Sequence, residues 1–126
     1  MSYNKKIIYY YNNRLNVGFL NLNKNYGFSL IGAPLCGDLI ELQLYIINDL
    51  ILSSRYKTYG CASAIASVSL LSSYIIGKNI NHIFFTKNIH ISQELSLPLI
   101  KIHCSVLVED ILKLSIINFK NNYLIF

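Results

Sequence analysis

The chain has 126 residues, 53% of them hydrophobic and 13% charged, so it is long enough for one core and too apolar for a disordered chain. Its net charge of +5 comes from scattered lysines without a basic stripe, which argues against a nucleic-acid partner. Three cysteines cannot close a disulfide framework, and residues 1–11 lack a hydrophobic segment for secretion. We therefore expect a reducing compartment, a bacterial cytoplasm or alternatively an organelle matrix, and no membrane partner.

The N-terminal part mixes Asn, Lys and Tyr with little periodicity. This composition predicts a loosely ordered segment over residues 1–27 with one short helix. No internal repeat or linker divides the remainder. Residues 28–126 are therefore expected to form a single domain.

Three short strands are predicted next. Residues 28–31 form the first, and in residues 39–47 apolar residues alternate with polar ones, which indicates a strand with one buried face. That face comprises Ile40, Leu42, Leu44 and Ile46. Asn48 and Asp49 supply a turn, and residues 51–59 pair back as the third strand of an antiparallel hairpin. Its water-facing residues are predicted to be Arg55 and Lys57.

The longest uncharged stretch, residues 58–77, is nominally long enough to cross a bilayer. Serines dilute it, however, and its large apolar residues recur at helical spacing. We therefore predict a core helix over residues 61–76 with one buried face, ended by Gly77. The buried face comprises Ile65, Val68, Leu71 and Ile75.

Two further helices are predicted in the C-terminal half. The first covers residues 81–87 and is capped by Asn81, with exposed histidines at His82 and His90. Pro98 then forces an extended approach to the last helix, over residues 104–121. The last helix is expected to bury Leu107, Ile111 and Leu114 and to pair Glu109 with Lys113. These elements predict an α+β fold, a small three-stranded antiparallel sheet packed on one side by helices.

Each cysteine lies at a junction between predicted elements, where side chains from different elements gather. Cys61 and Cys104 begin predicted helices, and the helix N-terminus is expected to lower the pKa of both thiols. Asp38 follows Cys36 closely, and His103 precedes Cys104. Three thiols, a carboxylate and an imidazole suit a transition-metal or iron-sulfur site.

The residues alone leave other interpretations open. The thiols could be ordinary buried core residues, or the same groups could form a closed structural zinc site. A cysteine enzyme would use Cys104 or Cys36 as nucleophile and His103 as base. Against these alternatives, the cysteine gaps match no local zinc signature, and side chains adjacent in sequence rarely face each other.

Three stretches stand out in order along the chain: 32–38 (GAPLCGD), 55–67 (RYKTYGCASAIAS) and 97–105 (LPLIKIHCS). They resemble the signature blocks of the IscU family, which includes the N-terminal domain of NifU. The likeness extends over almost the whole chain.

This resemblance implies a SufE/IscU-like fold and a scaffold rather than an enzyme. On such a scaffold a two-iron two-sulfur (2Fe-2S) cluster is built from iron and persulfide sulfur, and is then transferred to apo-proteins. Zinc is expected at the same residues in the isolated protein. The implied ligands are Cys36, Asp38, Cys61, His103 and Cys104, with Cys104 as the acceptor of persulfide sulfur.

The resemblance also implies partners. A cysteine desulfurase would supply sulfur, and a frataxin-like iron regulator, a ferredoxin and apo iron-sulfur acceptor proteins would complete the set. An Hsp70-type chaperone and its co-chaperone would bind the segment Leu97, Pro98, Leu99, Ile100 and Lys101, in which Leu99 stands where the family has a second proline.

Overall fold

A three-stranded antiparallel sheet forms one layer of the protein. The computed structural model describes residues 5–12, 17–18, 25–33 and 37–125, without the side chains of residues 33 and 122–125. The strands are β1 (Tyr26–Ala33), β2 (Asp38–Ile47) and β3 (Leu50–Tyr59), paired in the order β1-β2-β3. The three predicted strands are confirmed, each with slightly wider bounds.

The middle strand, β2, places one face in the core through its alternating sequence. The predicted core residues of this face, none more than 1% exposed, are Ile40, Leu42, Leu44 and Ile46. Gln43 points to the opposite face and is nevertheless buried. Its partners in the two flanking strands, Phe28 and Arg55, lie directly beside it.

A tight turn joins β2 to β3. Asn48 and Asp49 have φ values of 52° and 62°, as a type I′ turn requires, so the predicted hairpin is confirmed. Lys57 is exposed as predicted. Arg55 is only half-exposed, because one guanidinium nitrogen turns back to donate to the Ser54 carbonyl at 2.7 Å.

Helices cover one face of this sheet, which confirms the predicted α+β architecture. They are α1 (Lys5–Asn12), α2 (Ala62–Tyr74), α3 (Ile80–Ile83), α4 (Asn88–Glu94) and α5 (Ile102–Ile125), with a 3₁₀ turn at Leu99–Lys101. The last helix packs on β1 and β2, and α2 packs on β3. Within the described part of the chain, none of the helices has the length and hydrophobicity needed to span a bilayer.

Gly27 explains how closely α5 lies on β1. A Cβ at this position would overlap the carbonyl oxygen of Ser115 and touch Phe119, so only glycine allows the approach. This contact fixes α5 along the sheet and thereby the position of its first turn.

The prediction that α2 buries a single face is wrong. This helix packs against α1, α4, α5 and β3, so most of its circumference is covered. Two of its buried serines bond within the helix, since Ser67 donates to the Ser63 carbonyl at 2.7 Å and Ser72 to the Ser69 carbonyl at 2.8 Å. The hydroxyl of Ser63 has no hydrogen-bond partner among the described residues. Gly77, with φ of 83°, follows the helix as predicted.

The helices predicted in the C-terminal half differ in detail. The cap of α3 is Asn79 rather than the predicted Asn81, and the N–H of Asn81 donates to Asn79 Oδ1 at 2.8 Å. This helix ends after one turn, and α4, which was not predicted, follows it. The prediction that Leu114 is buried is wrong, because it is 44% exposed. The buried face of α5 continues from Ile111 to Ser115 instead. The predicted pair of Glu109 and Lys113 is confirmed at 3.2 Å.

The short helix predicted near the N-terminus corresponds to α1. Its Ile7 is fully buried, and the helix packs against α2. This helix is therefore part of the packed body. The division into residues 1–27 and 28–126 stays a prediction.

Candidate functional site

The candidate site lies where β2 begins and β3 ends. Antiparallel pairing places Leu39 opposite Tyr59. Asp38, the first residue of β2, therefore comes close to Gly60 and Cys61, which follow β3. The first turn of α5 reaches the same end of the sheet.

Asp38 is a buried carboxylate with one oxygen paired and one unpaired. Its Oδ1 accepts the backbone N–H of Cys61 at 3.1 Å. Its Oδ2 has no hydrogen-bond partner among the described residues and lies 3.9 Å from His103 Nε2. Leaving a buried carboxylate oxygen unpaired is costly, so this atom is poised for a cation.

Two thiols meet beside this carboxylate. Cys61 is the N-cap of α2, and its Sγ accepts the N–H of Ala64 at 3.4 Å. Cys104 is the third residue of α5 and is fully buried. The two Sγ atoms are 3.6 Å apart, and both cysteines are free thiols.

The pKa of the Cys104 thiol is raised, which contradicts the lowering predicted from its helix position. Burial is the main cause, and the neighbouring Cys61 and Asp38 add to it, while Lys101 opposes them. The effect of the helix N-terminus is thus outweighed by loss of solvent around the sulfur. Cys104 carries little negative charge until a cation or another reaction partner arrives.

His103 points its Nε2 into the site. Its Nδ1 lies 3.1 Å from the Ile100 carbonyl oxygen, which can only accept, so the hydrogen sits on Nδ1. In the neutral imidazole this tautomer makes Nε2 an acceptor, 3.5 Å from Cys104 Sγ. The expectation that these adjacent side chains do not face each other is wrong. The raised pKa of Cys104 is nevertheless the opposite of what an activated nucleophile needs.

These groups form a set of metal-ligand atoms. One ligand atom each from Asp38, His103 and Cys104 lies within 4.8 Å of the others, and Cys61 Sγ adjoins Cys104. A carboxylate, an imidazole and thiolates together suit iron or zinc better than calcium or magnesium. Cys36, the remaining predicted ligand, lies outside the described residues.

The other two histidines lie away from this set. His82 in α3 and His90 in α4 are exposed, as predicted. No second group of three metal-ligand side chains occurs in the described ranges.

The predicted chaperone-binding segment leads directly into the site. Pro98 is extended, as predicted for the approach to the last helix, and a 3₁₀ turn at Leu99–Lys101 follows it. Leu99 is 90% exposed and Ile100 68% exposed, whereas Leu97 is buried. The turn therefore presents two apolar side chains to solvent just before His103.

Gly60 also belongs to the site, although the sequence pointed to it only as one residue of the stretch 55–67. Its φ is +154°, and a Cβ there would overlap Asp38 Oδ1. The signal available in the sequence was a glycine between a strand and a helix-capping cysteine, a place where close backbone approach is common.

Comparisons with known proteins agree with one another. A family model described as the NifU-like N terminal domain matches residues 2–124. The chain is 47% identical over 123 residues to the iron-sulfur cluster assembly scaffold protein IscU of Buchnera aphidicola subsp. Baizongia pistaciae, covering 96% of this chain and 98% of that protein. It is 45% identical over 123 residues to the protein of the same name from Escherichia coli K12, covering 96% of each. The fold matches an N-terminal NifU-like protein from Brucella abortus with a TM-score of 0.76 over 94% of each chain, at 14% identity.

Proposed function

Because this chain belongs to the family of NifU-like N-terminal domains, we propose that it is a scaffold on which iron-sulfur clusters are assembled and from which they are passed to other proteins. The observation that carries this function is the meeting of two thiols, a carboxylate and an imidazole at one end of the sheet. As a scaffold, the chain turns over no substrate of its own. The cluster is its cargo.

The proposed ligand shell has three thiolates and one harder group. A two-iron two-sulfur cluster needs four terminal ligands, and Cys36, Cys61 and Cys104 supply three. Asp38 Oδ2, which is unpaired among the described residues, and His103 Nε2, which is an available acceptor, are the candidates for the fourth. A non-thiolate ligand holds iron less tightly than a fourth thiolate, which favours release of the finished cluster.

Sulfur is proposed to reach Cys104 as a persulfide from a cysteine desulfurase. Cys104 lies in the first turn of α5 and has no exposed surface, so delivery requires the groups around this turn to open. The exposed Leu99 and Ile100 directly precede that turn. Binding of an Hsp70-type chaperone to residues 97–101 would therefore act on the same movement during transfer. A frataxin-like regulator, a ferredoxin and apo-acceptor proteins complete the proposed set of partners.

Zinc is the second proposed occupant of the same site. Asp38, His103 and Cys104 offer the donor types that zinc prefers, within reach of one ion. The relatives named above come from bacteria, which supports a reducing bacterial cytoplasm as the place of action.

Anaerobic reconstitution tests the scaffold function. The purified chain is mixed with ferrous iron, cysteine and a cysteine desulfurase, and visible absorption and Mössbauer spectra report the cluster. We expect a two-iron cluster on the wild type and its loss in Cys61→Ser and Cys104→Ser. His103→Ala should alter the spectrum of the cluster. Its matched control, His82→Ala, changes an exposed histidine away from these ligands and should leave the spectrum as in the wild type. A spectrum that is the same for all these variants would show that the cluster, if any, forms elsewhere.

A further inference from the structure

The close contact between Cys61 and Cys104 suggests a use for the pair beyond holding iron. Their Sγ atoms are 3.6 Å apart, which is roughly 1.5 Å farther than the length of a disulfide bond. Cys61 sits at the N-cap of α2, where the Ala64 N–H holds its sulfur, and Cys104 sits in the first turn of α5. Closing the bond requires a small displacement of two helix ends.

Burial decides which thiol can reach the sulfur of Cys104. Cys104 has no exposed surface, so a thiol from solvent such as glutathione cannot approach it while the site is closed. Cys61 is partly exposed and already in contact with it. Thiol exchange depends on access to the sulfur under attack, and proximity of this kind raises rates strongly.

We propose that Cys61 is the thiol that converts sulfane sulfur carried on Cys104 into sulfide. Cys61 Sγ attacks Cys104 Sγ, and a Cys61–Cys104 disulfide forms as the bond from Cys104 Sγ to the sulfane sulfur breaks. The sulfane sulfur leaves with the bonding electron pair and takes up the proton from the Cys61 thiol, so it departs as hydrosulfide or hydrogen sulfide. The two cysteine sulfurs together lose two electrons, and the sulfane sulfur gains them.

The released sulfide appears where iron would be held. Cys104 Sγ is within 4.8 Å of the ligand atoms of Asp38 and His103. The disulfide must then be reopened by a dithiol reductant of the thioredoxin class before both cysteines can bind iron. Each sulfide thus consumes one dithiol, and sulfur reduction precedes closure of the cluster.

This inference rests on the proposed function, since it assumes that Cys104 carries persulfide sulfur. The test loads Cys104 by prolonged anaerobic incubation of the full chain with inorganic polysulfide, a small anion that enters when the site opens transiently. Gel filtration then removes the excess, so that no thiol or polysulfide remains in solution, and the sulfide released and the mass of each cysteine peptide are followed. The wild type should release one sulfide per chain and gain a Cys61–Cys104 disulfide. Cys61→Ser should keep one extra sulfur atom on Cys104 and release sulfide at least roughly tenfold more slowly.

Cys36→Ser tests the rival attacker. Retained release in this variant, with loss in Cys61→Ser, supports the assignment, whereas a Cys36–Cys104 disulfide overturns it. Three results with the wild type also overturn the assignment. The persulfide is stable, no persulfide forms on Cys104, or sulfide is released while Cys61 and Cys104 both remain reduced. Circular dichroism checks that each variant is folded.

A parallel reconstitution of the wild type with ferrous iron and inorganic sulfide separates this inference from the scaffold function. If a cluster forms there but no Cys61–Cys104 disulfide forms in the polysulfide experiment, only the proposed role of Cys61 is refuted, and the scaffold function stands. Failure to form a cluster from ready-made sulfide refutes the scaffold function itself.

Discussion

Replacing Gly60 with alanine should disturb the site through Asp38. The φ of Gly60 is +154°, a region almost confined to glycine, and a Cβ there would overlap Asp38 Oδ1. That oxygen accepts the N–H of Cys61 at 3.1 Å. The carboxylate must therefore leave the Cys61 N–H, or the junction between β3 and α2 must shift.

Two costs contribute to the expected loss of stability. Backbone strain at this φ amounts to about 1–3 kcal/mol. Loss of a hydrogen bond to a charged group amounts to about 1.5–3 kcal/mol. We therefore expect Gly60→Ala to lower the free energy of unfolding by roughly 3–5 kcal/mol. Gly77→Ala is the matched control, because Gly77 also has positive φ but no atom within 4 Å of its Cβ position, and it should cost only about 1–2 kcal/mol.

Urea unfolding in two backgrounds separates the two costs. In an Asp38→Ala background the overlapping carboxylate is gone, so Gly60→Ala should cost only its backbone strain, about 1–3 kcal/mol. The cost of Gly77→Ala should not change between backgrounds. If Gly60→Ala costs the same with and without the Asp38 carboxylate, the argument for contact between the two residues is refuted.

Three other changes give separate expectations. Glu109→Gln should lower stability at neutral pH by about 1–2 kcal/mol, because Glu109 accepts the Asn88 N–H and pairs with Lys113. Burial raises the pKa of Glu109, but these two contacts outweigh it and lower the pKa below its ordinary value. The stabilisation by Glu109 is therefore full above its unfolded pKa of about 4.3 and is lost as the pH falls through the lower folded pKa. A difference in stability between wild type and Glu109→Gln that persists in acid would contradict this role of the carboxylate. Leu99→Ser should leave stability within about 0.5 kcal/mol and weaken binding of an Hsp70-type chaperone, and an unchanged Kd would exclude this segment. Chelation of bound zinc should leave the far-ultraviolet circular dichroism intact, since the core is built from apolar side chains, whereas unfolding would indicate a structural zinc domain.

Local patterns account for the parts of the fold that could be predicted. The alternation in β2 is a period-two signal that depends only on which face is buried, and Asn48 and Asp49 tolerate the positive φ that the hairpin requires. The sequence also placed Asp38 and Cys61 at element junctions. Once the hairpin pairs in its register, those junctions lie at the same end of the sheet.

Tertiary surroundings account for the predictions that were wrong. The serines of α2 suggested a polar face, but neighbours on several sides bury them, and the hydroxyl groups of Ser67 and Ser72 bond within the helix. The helix N-terminus suggested a lowered pKa for Cys104, but burial raises it. Neither effect can be inferred from sequence spacing, because both depend on what packs around the residue.

The proposed role of this chain is to assemble a cluster and to transfer it to other proteins. The most direct measurement is anaerobic transfer from the reconstituted chain to an apo-ferredoxin, followed by circular dichroism in the visible range and by the iron content of each protein after separation. We predict that the ferredoxin gains its cluster while the scaffold loses an equivalent amount of iron, and that excess chelator does not intercept the iron. A cluster that stays on this chain, or iron that reaches the ferredoxin only through solution and is trapped by the chelator, would contradict the account.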